Sequence, residues 1–420
     1  VTISKSGEMG APVEIAYFDK DGILIDSKWL EEVTGNNIIL PGNADHAIVS
    51  PDGLLPELSK TNNSTKKPLK FNFVFDVPDY NRTNVNWLPW LFSINEYNGW
   101  TPGLMVYSGF IPTLDYGISV KPMYDFNNNK LVGSMKIQKT FYQQFGFRRI
   151  KLAADYSIFE GRSGAKFSFA GLLRKPIYSS PATNLKASVY THDIDRDAVT
   201  SRFYSSGKYM IGDIGIDYHN YSDPLIRYDF STGITTSFCK NEFSKLYATG
   251  KIRWRSSKKM TTYLRGWMGH FLNDKYVPRQ YRNYLGGGVD PNFESGVVLN
   301  RMNLIDNTWP TVYERQYIED GAGLRGIAMD GNRPFYSNET SWGINFTQAI
   351  KDVPLRIFAD YAGGTDLDDH YFDAGLIINL SSIKIYLPLY QSWDEEALIK
   401  DFDSLKERIK FEISIPNISL

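Results

Sequence analysis

The chain has 420 residues and a formal net charge of −1, so its charge gives no reason to expect a nucleic-acid partner. The single cysteine, Cys239, excludes an internal disulfide and a cysteine-rich zinc site. No apolar run approaches the ~20 residues that a membrane-spanning helix needs. Aromatic residues make up 15% of the chain, which favours a membrane barrel with aromatic girdles over a large soluble β-protein with aromatic cores.

Residues 1–50 predict a small β-sandwich. Short apolar runs such as Ile23-Leu24-Ile25 alternate with turn residues, among them the hairpin-type pair Asp21-Gly22. No basic-then-apolar signal sequence precedes Val1, so we expect a mature or trimmed product whose upstream sequence is missing. Residues 51–88 are predicted to form a linker that leads into a barrel, because their first part is rich in Pro, Asn, Ser and Lys.

Residues 89–420 have the pattern of a series of long strands. In 149–156 and 245–255, apolar side chains alternate with mostly polar or charged ones, which places the two sets on opposite faces of a strand. A soluble sandwich also alternates, but these strands run to about 9–13 residues, as tilted membrane strands do, whereas soluble strands average ~5–6. Short polar turns, such as 255–259, alternate with long connections, such as 272–338, which is typical of outer-membrane barrels.

The predicted fold class is all-β: a transmembrane antiparallel β-barrel of about 16 strands with a small N-terminal periplasmic β-sandwich. The strands are predicted to begin near Trp90, Thr101, Leu114, Asn129, Phe147, Ser163, Asn184, Tyr209, Leu225, Glu242, Met260, Glu339, Leu355, His370, Ile383 and Arg408. The N-terminus and the short turns fall on one side, which we assign to the periplasm. The protein is therefore predicted to lie in the outer membrane of a Gram-negative bacterium.

The polar faces of these strands carry many basic side chains. In a barrel, the polar face lines the lumen and the apolar face meets lipid. The residues predicted to face the lumen are Arg149, Lys151, Lys251, Arg253, Arg255 and Lys384.

One helix is predicted among the outer loops, in residues 394–407. Leu398, Phe402 and Leu405 fall on one helical face, with acids and lysine on the other. The acidic residues at its beginning suit a helix N-terminus. Such a helix would cap the barrel or meet a partner.

The longest predicted loop contains Leu324-Arg325-Gly326, and a later predicted strand contains Phe358-Ala359-Asp360-Tyr361-Ala362-Gly363. A barrel of about 16 strands with an Arg-Gly motif in its sixth outer loop resembles the outer-membrane assembly superfamily, of the BamA and two-partner-secretion type. The resemblance implies that the loop folds back into the lumen and that its arginine meets an acidic residue on the thirteenth strand. Arg325, Gly326 and Asp360 are therefore the candidate loop lock, since a bidentate arginine–carboxylate contact fixes geometry well.

The sequence departs from that family at three positions. Ile327 follows the Arg-Gly pair where the family usually has an aromatic residue, Ala362 replaces a glycine of the strand motif, and Leu420 replaces a terminal phenylalanine. The alternative interpretation of Arg325 is an arginine of a surface loop.

The N-terminal part carries a second resemblance. The segments GAPVEIAYFDKDG (10–22) and SPDGLLPEL (50–58) resemble the C-terminal region of Bacteroidota zinc aminopeptidases of the gluzincin, alanyl-aminopeptidase-like type, some of which continue into an outer-membrane barrel. The catalytic His-Glu-x-x-His motif of that family is absent from this chain. No catalytic or metal-binding residue is therefore predicted here, and a metallopeptidase domain would have to lie upstream.

The resemblances predict a non-catalytic outer-membrane anchor or scaffold of a zinc-aminopeptidase-like protein, within a larger outer-membrane complex. The alternatives are a BamA-type barrel for polypeptide transport or outer-membrane assembly, and a porin-like channel. No cofactor is expected in this chain, and zinc only with an upstream peptidase domain. The expected partners are outer-membrane lipid, lipopolysaccharide, other outer-membrane proteins and a peptidase domain, but not nucleic acid.

Overall fold

The computed structural model describes residues 2–3, 12–31, 36–37, 39–52, 63–66, 69–78, 83–91, 94–95, 97–108, 115–159, 161–173, 181–196, 205–238, 242–257, 260–274, 276–286, 317, 319–326, 336–351, 353–380, 383–393 and 397–413. Its strands are β1 (Thr2–Ile3), β2 (Val13–Phe18), β3 (Leu24–Leu30), β4 (Asn36–Asn37), β5 (His46–Val49), β6 (Leu69–Phe73), β7 (Thr83–Trp90), β8 (Ile94–Asn95), β9 (Gly99–Trp100), β10 (Gly103–Ser108), β11 (Tyr116–Asp125), β12 (Lys130–Gln144), β13 (Phe147–Phe159), β14 (Arg162–Leu173), β15 (Ala182–Ile194), β16 (Gly207–Asn220), β17 (Ile226–Ser237), β18 (Phe243–Ser257), β19 (Met260–Asp274), β20 (Asn283–Tyr284), β21 (Tyr336–Ser337), β22 (Thr340–Ala349), β23 (Leu355–Gly364), β24 (Tyr371–Leu380), β25 (Ile383–Gln391) and β26 (Lys410–Ile413). A 3-10 turn (Arg279–Tyr281) and the helix α1 (Phe402–Arg408) complete the described elements. None of the described helical segments has the length and apolar character needed to span a membrane.

The large sheet confirms the prediction of an all-β barrel. It contains 17 strands and is closed, in the order β10 to β19, β22 to β26, β6 and β7. The predicted number was about 16, and the difference arises before residue 90. Strand β6 lies in the predicted linker and pairs in parallel with β7, and β7 ends at Trp90 rather than beginning there. Strand β7 was not predicted because Pro89 lies near its end, and proline is rare inside strands.

The chain divides into two compact units, the first formed mainly by residues 1–89 and 104–121 and the second by residues 90–103 and 122–419. In the first unit, β3, β2 and β5 form a three-stranded sheet. Ile15, Tyr17 and Ala47 make its buried core. The described part of residues 1–50 contains this sheet and the β1–β4 pair, and the domain boundaries 1–50, 51–88 and 89–420 stay a prediction.

The second unit contains the long antiparallel strands. Strands β12 to β19 have 12 to 15 residues each, the length that tilted strands need to cross a bilayer. In β18, Leu246, Ile252 and Trp254 are exposed on the outer face, whereas Lys245 and Tyr247 line an internal cavity. This alternation follows from the two-residue period of a strand.

The helix differs from the predicted one, because α1 begins only at Phe402. Asp401 is its N-cap and accepts a 2.8 Å hydrogen bond from the backbone N–H of Ser404, while the Ser404 hydroxyl accepts from the backbone of Asp401. This capping box fixes where the helix begins. The residues before it are extended, since Leu398 pairs with Tyr390. Of the predicted range 394–407, residues 394–396 lie outside the described part of the chain.

Candidate functional site: an arginine loop on the inner face of the barrel

The segment 319–326 lies against the inner face of the sheet. The backbone N–H of Ala322 donates to the carbonyl of Tyr284 at 3.1 Å, and that of Leu324 donates to the carbonyl of Leu285 at 2.8 Å. Both side chains are fully buried. The loop approaches strand β22 so closely that a Cβ atom on Gly343 would collide with the backbone of Ala322. The segment 319–326 is therefore tightly packed against the inner face of the sheet.

The structure brings Arg325 and Asp360 together in a bidentate ion pair. Arg325 Nε donates to Asp360 Oδ2 at 2.8 Å and Nη2 donates to Oδ1 at 2.5 Å, while the Arg325 backbone N–H donates to Oδ2 at 3.0 Å. Both side chains are almost completely buried. Asp360 faces inward from β23, and this arrangement satisfies the carboxylate with three donors from one residue.

The remaining donors of Arg325 are also used. Its Nη1 donates to the Thr347 hydroxyl at 2.6 Å, Nη2 donates to the Phe346 carbonyl at 2.8 Å, and Cζ lies 4.6 Å from the centre of the Phe358 ring. Burial alone would lower the pKa of Arg325, but the charge and hydrogen bonds of Asp360 raise the pKa above its ordinary value. The guanidinium is therefore a charged group in this site.

Gly326 is held by two residues that the sequence did not single out. Its backbone N–H donates to the Asp373 carboxylate, and its carbonyl accepts a 2.9 Å hydrogen bond from Gln391 Nε2. Asp373 on β24 lies directly opposite Asp360 on β23 and is fully buried. A Cβ atom on Gly326 would lie 2.6 Å from Asp373 Oδ2, so the contact requires glycine. The acidic inward position on β24 was visible in the sequence, but its register opposite Asp360 was not.

A second arginine holds the loop upstream of Arg325. Arg265 on β19 donates through Nη2 to the Gly321 carbonyl and through Nη1 to the Asn345 side-chain oxygen, both at 2.8 Å. The Asn345 amide in turn donates to the Gly323 carbonyl at 2.9 Å. Gly321 and Gly323 adopt positive φ angles of 55° and 79°, which glycine tolerates best. Arg265 and Asn345 were missed because neither belongs to a recognisable motif.

Of the residues predicted to face the lumen, Lys251 contacts the loop directly. Its Nζ lies 2.5 Å from Glu319 Oε1, which also accepts a 3.1 Å hydrogen bond from the Tyr263 hydroxyl. Burial raises the pKa of Glu319, but Lys251, Arg265 and the Tyr263 hydroxyl together lower it more, so the net pKa lies below the ordinary value. Glu319 is therefore an anion that ties the beginning of the loop segment to β18.

Strand register places the other predicted residues on the same inner face. Arg253 and Arg255 follow Lys251 at alternate positions of β18. Tyr190, which lines the internal cavity of about 400 Å³, lies opposite Lys166, and Lys166 lies opposite Asp155. Arg149 and Lys151 share the face of Asp155 by the two-residue period of β13.

Lys384, the last of these, faces inward from β25. Its Nζ lies 2.7 Å from Glu412 Oε1 on β26, and Tyr386 donates its hydroxyl proton to the other oxygen at 2.5 Å. Tyr386 also packs against Tyr317 and Phe358 under the loop. The predicted site residues thus share one face, but only Arg325, Gly326, Asp360 and Lys251 belong to the loop contacts.

The chemistry of the site is that of a structural clamp. Within the described ranges, no group of three or more His, Cys, Asp or Glu side chains is placed to hold a metal ion. The charged groups here pair with one another or with backbone groups of the loop. Such an arrangement fixes a loop in one position.

Comparisons with known proteins add little to this geometry. No family model and no curated protein matches the chain. Among solved structures, BamA from Haemophilus ducreyi lacking POTRA domains 1-3 aligns with 77% of this chain and 68% of its own, at 8% identity and a TM-score of 0.37. CdiB from Acinetobacter baumannii aligns with 73% of this chain and 56% of its own, at 12% identity and a TM-score of 0.37. TM-scores this low carry no argument, and none of these comparisons supports the resemblance to a zinc aminopeptidase.

Proposed function

We propose that the chain is an outer-membrane β-barrel that works in polypeptide transport or outer-membrane assembly, with an inner loop held by Arg325 and Asp360. Its partners are outer-membrane lipid and lipopolysaccharide on the outer face and other outer-membrane proteins. The N-terminal part of the chain then belongs in the periplasm.

The membrane location is supported by the faces of the long strands. Ile214, Phe167 and Trp254 are each more than half exposed on the outer face, where a soluble protein would carry polar groups. The inner face carries the ion pairs described above. A closed sheet leaves no unpaired backbone edge, and it is one of the two structures that satisfy backbone groups inside a bilayer.

The observation that carries the proposed function is the buried contact between Arg325 and Asp360. The resemblance to the outer-membrane assembly superfamily implies an arginine loop that meets an acid on a barrel strand, and these two side chains meet with 2.5 to 3.2 Å contacts. Anchoring of a zinc aminopeptidase rests on the N-terminal resemblance alone, and no contact favours it.

The test is a reconstitution of the purified full chain into liposomes. An unfolded outer-membrane barrel protein is added as a client, and its folding is followed by the heat-dependent shift in electrophoretic mobility. We expect faster client folding than in empty liposomes and slower folding when Arg325 is replaced by Met. The same purified chain is also inserted into planar bilayers, where ion conductance is measured.

Two results would reject the proposal. If client folding equals that in empty liposomes while steady conductance is large, the chain is a channel. If membrane fractionation places the chain outside the outer membrane, the location itself is wrong. Co-purification of a zinc peptidase from native membranes would instead favour the anchor function.

A further inference from the structure

Four arginines gather near one end of the inner face of the second unit. Arg227 is the second residue of β17, Arg253 and Arg255 lie near the end of β18, and Arg356 is the second residue of β23. Arg253 and Arg255 share the face of Lys251, and Arg356 shares the face of Asp360. Each of these strand ends adjoins a short turn, so the arginines lie at the short-turn end of the barrel.

The four charges repel one another. Arg227 and Arg253 occupy directly opposite positions on β17 and β18, an arrangement of like charges that destabilises a sheet. Arg255, Arg227 and Arg356 all act electrostatically on Arg253. The residues opposite Arg255 and Arg356 on the strands between them are the short Thr261 and Ala349. No large side chain at those positions separates the two arginines.

In the part of the chain that the structure describes, these arginines have no acidic partner. The contact of Arg227 is the ring of Tyr221, at 5.5 Å. The carboxylate on the same face of β17, Asp229, is already engaged by His219 and by the Tyr221 hydroxyl, each at 2.5 Å. Arg325 and Lys251, in contrast, each meet a carboxylate.

We propose that Arg227, Arg253, Arg255 and Arg356 form a binding site for an acidic polypeptide segment that enters the barrel from the short-turn side. The proposal deepens the transport or assembly function and takes the class of its ligand from it. A guanidinium binds a carboxylate through two parallel hydrogen bonds, so four of them suit a ligand with several carboxylates.

The spacing favours an extended peptide over a single small anion. Opposite residues on paired strands have Cβ atoms about 5 Å apart, and alternate residues of one strand lie about 6.6 Å apart. Arg253 is thus about 5 Å from Arg227 and about 6.6 Å from Arg255, while Arg356 lies three strands from β18. Acidic residues at alternate positions of an extended segment repeat at the same 6.6 Å. Glu319 already provides a carboxylate for Lys251, the next inward position on this row.

The experiment measures binding of a fluorescent peptide with Glu at alternate positions to the full chain in detergent, by fluorescence anisotropy at constant ionic strength. A peptide with Gln in place of Glu is the matched probe. The test variant carries Arg227→Gln, Arg253→Gln and Arg255→Gln. The control variant loses the same charge at three exposed positions elsewhere, Lys20→Gln, Lys28→Gln and Lys208→Gln.

We expect the Glu peptide to bind and the Gln peptide not to bind. The arginine variant should bind at least about tenfold more weakly, because three charge-assisted contacts are lost, and the control variant within about twofold of the original chain. Heat-dependent mobility checks that each variant is folded. If the arginine variant does not fold, the single change Arg253→Gln replaces it, with an expected loss of about threefold.

The proposal is overturned if the arginine variant binds like the original chain or if the control variant loses as much affinity. It is also overturned if inorganic phosphate at matched ionic strength displaces the peptide as well as a second Glu peptide does, since the site would then take small anions. Peptide binding without client folding would remove the transport or assembly function and leave the site. Client folding without peptide binding would support the transport or assembly function and reject the peptide site.

Discussion

Removal of the Arg325 guanidinium should release the inner loop without unfolding the barrel. Arg325→Met keeps a side chain of comparable length but deletes the bidentate contact with Asp360 and the bonds to Thr347 and the Phe346 carbonyl. Asp360, 1% exposed, then keeps the backbone N–H of residue 325 and the Asn345 amide as hydrogen-bond donors, but has lost its cation. Leaving one partner of a buried ion pair uncompensated costs about 3–5 kcal/mol.

That cost falls on the equilibrium between the closed and open loop. At about 1.4 kcal/mol for each factor of ten, the open population should rise by roughly two to three and a half orders of magnitude. The assay is hydrogen exchange at the amides of Ala322 and Leu324, which donate to the carbonyls of Tyr284 and Leu285. Their exchange should accelerate by the same factor, while amides in the middle of β16 should not change.

Two further variants separate the ion pair from general damage to the barrel. Arg149→Met removes an arginine that lies on the inner face but outside the loop contacts, and it should leave exchange in the loop unchanged. Arg325→Met combined with Asp360→Leu removes both charges and should exchange more slowly than the single variant, because no buried charge is left unpaired. If Arg325→Met leaves loop exchange as it was, the ion pair does not hold the loop, and the reasoning fails.

Three further changes test the surroundings of the lock. Asp373→Asn keeps an oxygen for the Gly326 N–H and removes a carboxylate opposite Asp360, so hydrogen exchange in the loop should stay the same or slow. Asp373→Leu removes that oxygen and should accelerate the exchange. Equal exchange in the two variants would contradict the assigned hydrogen bond. The net pKa of Glu319 is lowered, so its contribution to the stability of the closed loop is fully present above the ordinary carboxyl pKa and is lost as pH falls through the lowered value. Acidification should therefore speed hydrogen exchange at the loop amides, and Glu319→Gln should abolish this pH dependence. An unchanged pH profile in that variant would refute the role of Glu319. Gly343→Val should push Ala322 away from β22, since even a Cβ atom collides there; Gly250→Val, at a position with open space around its Cβ, is the control, and equal loop protection in both variants would be evidence against close packing.

The strands of the second unit could be predicted because their period-two pattern is long and regular. In β18, every alternate residue from Lys245 to Arg255 was predicted to lie on the polar face, and four of these residues, Lys245, Tyr247, Thr249 and Lys251, line the internal cavity. Strand β6 was missed because its five residues follow a segment rich in Pro, Asn and Lys, and a short strand paired in parallel with its neighbour leaves no hairpin signal. The helix was placed too early because its capping box, not its amphipathic pattern, sets its beginning.

The clamp itself was only partly predictable. Arg325 and Asp360 could be paired because a resemblance connected two short motifs that are far apart in the sequence. Arg265, Asn345 and Asp373 could not be predicted, because their roles depend on which strand residues lie opposite one another. Arg265 and Asn345, for example, are 80 residues apart in the sequence, and the local pattern of residues does not determine the strand register between such distant segments. Residues whose partners are backbone carbonyls, such as Arg265 on Gly321, leave no complementary residue type to search for.

Arginine residues therefore have two different roles on the inner face. Arg325 and Arg265 are buried and every bond that each makes goes to the loop or its neighbours, so replacing either one should change loop position first. Arg253 and Arg255 are partly or largely exposed and meet other arginines, so replacing them should relieve repulsion and leave the loop in place. A stability gain in the Arg253→Gln variant, together with weaker binding of acidic peptide, would be the signature of a charge kept for a ligand at the expense of the fold. A loss of stability in that variant would mean that the arginine has a structural partner and that the ligand site must be sought elsewhere.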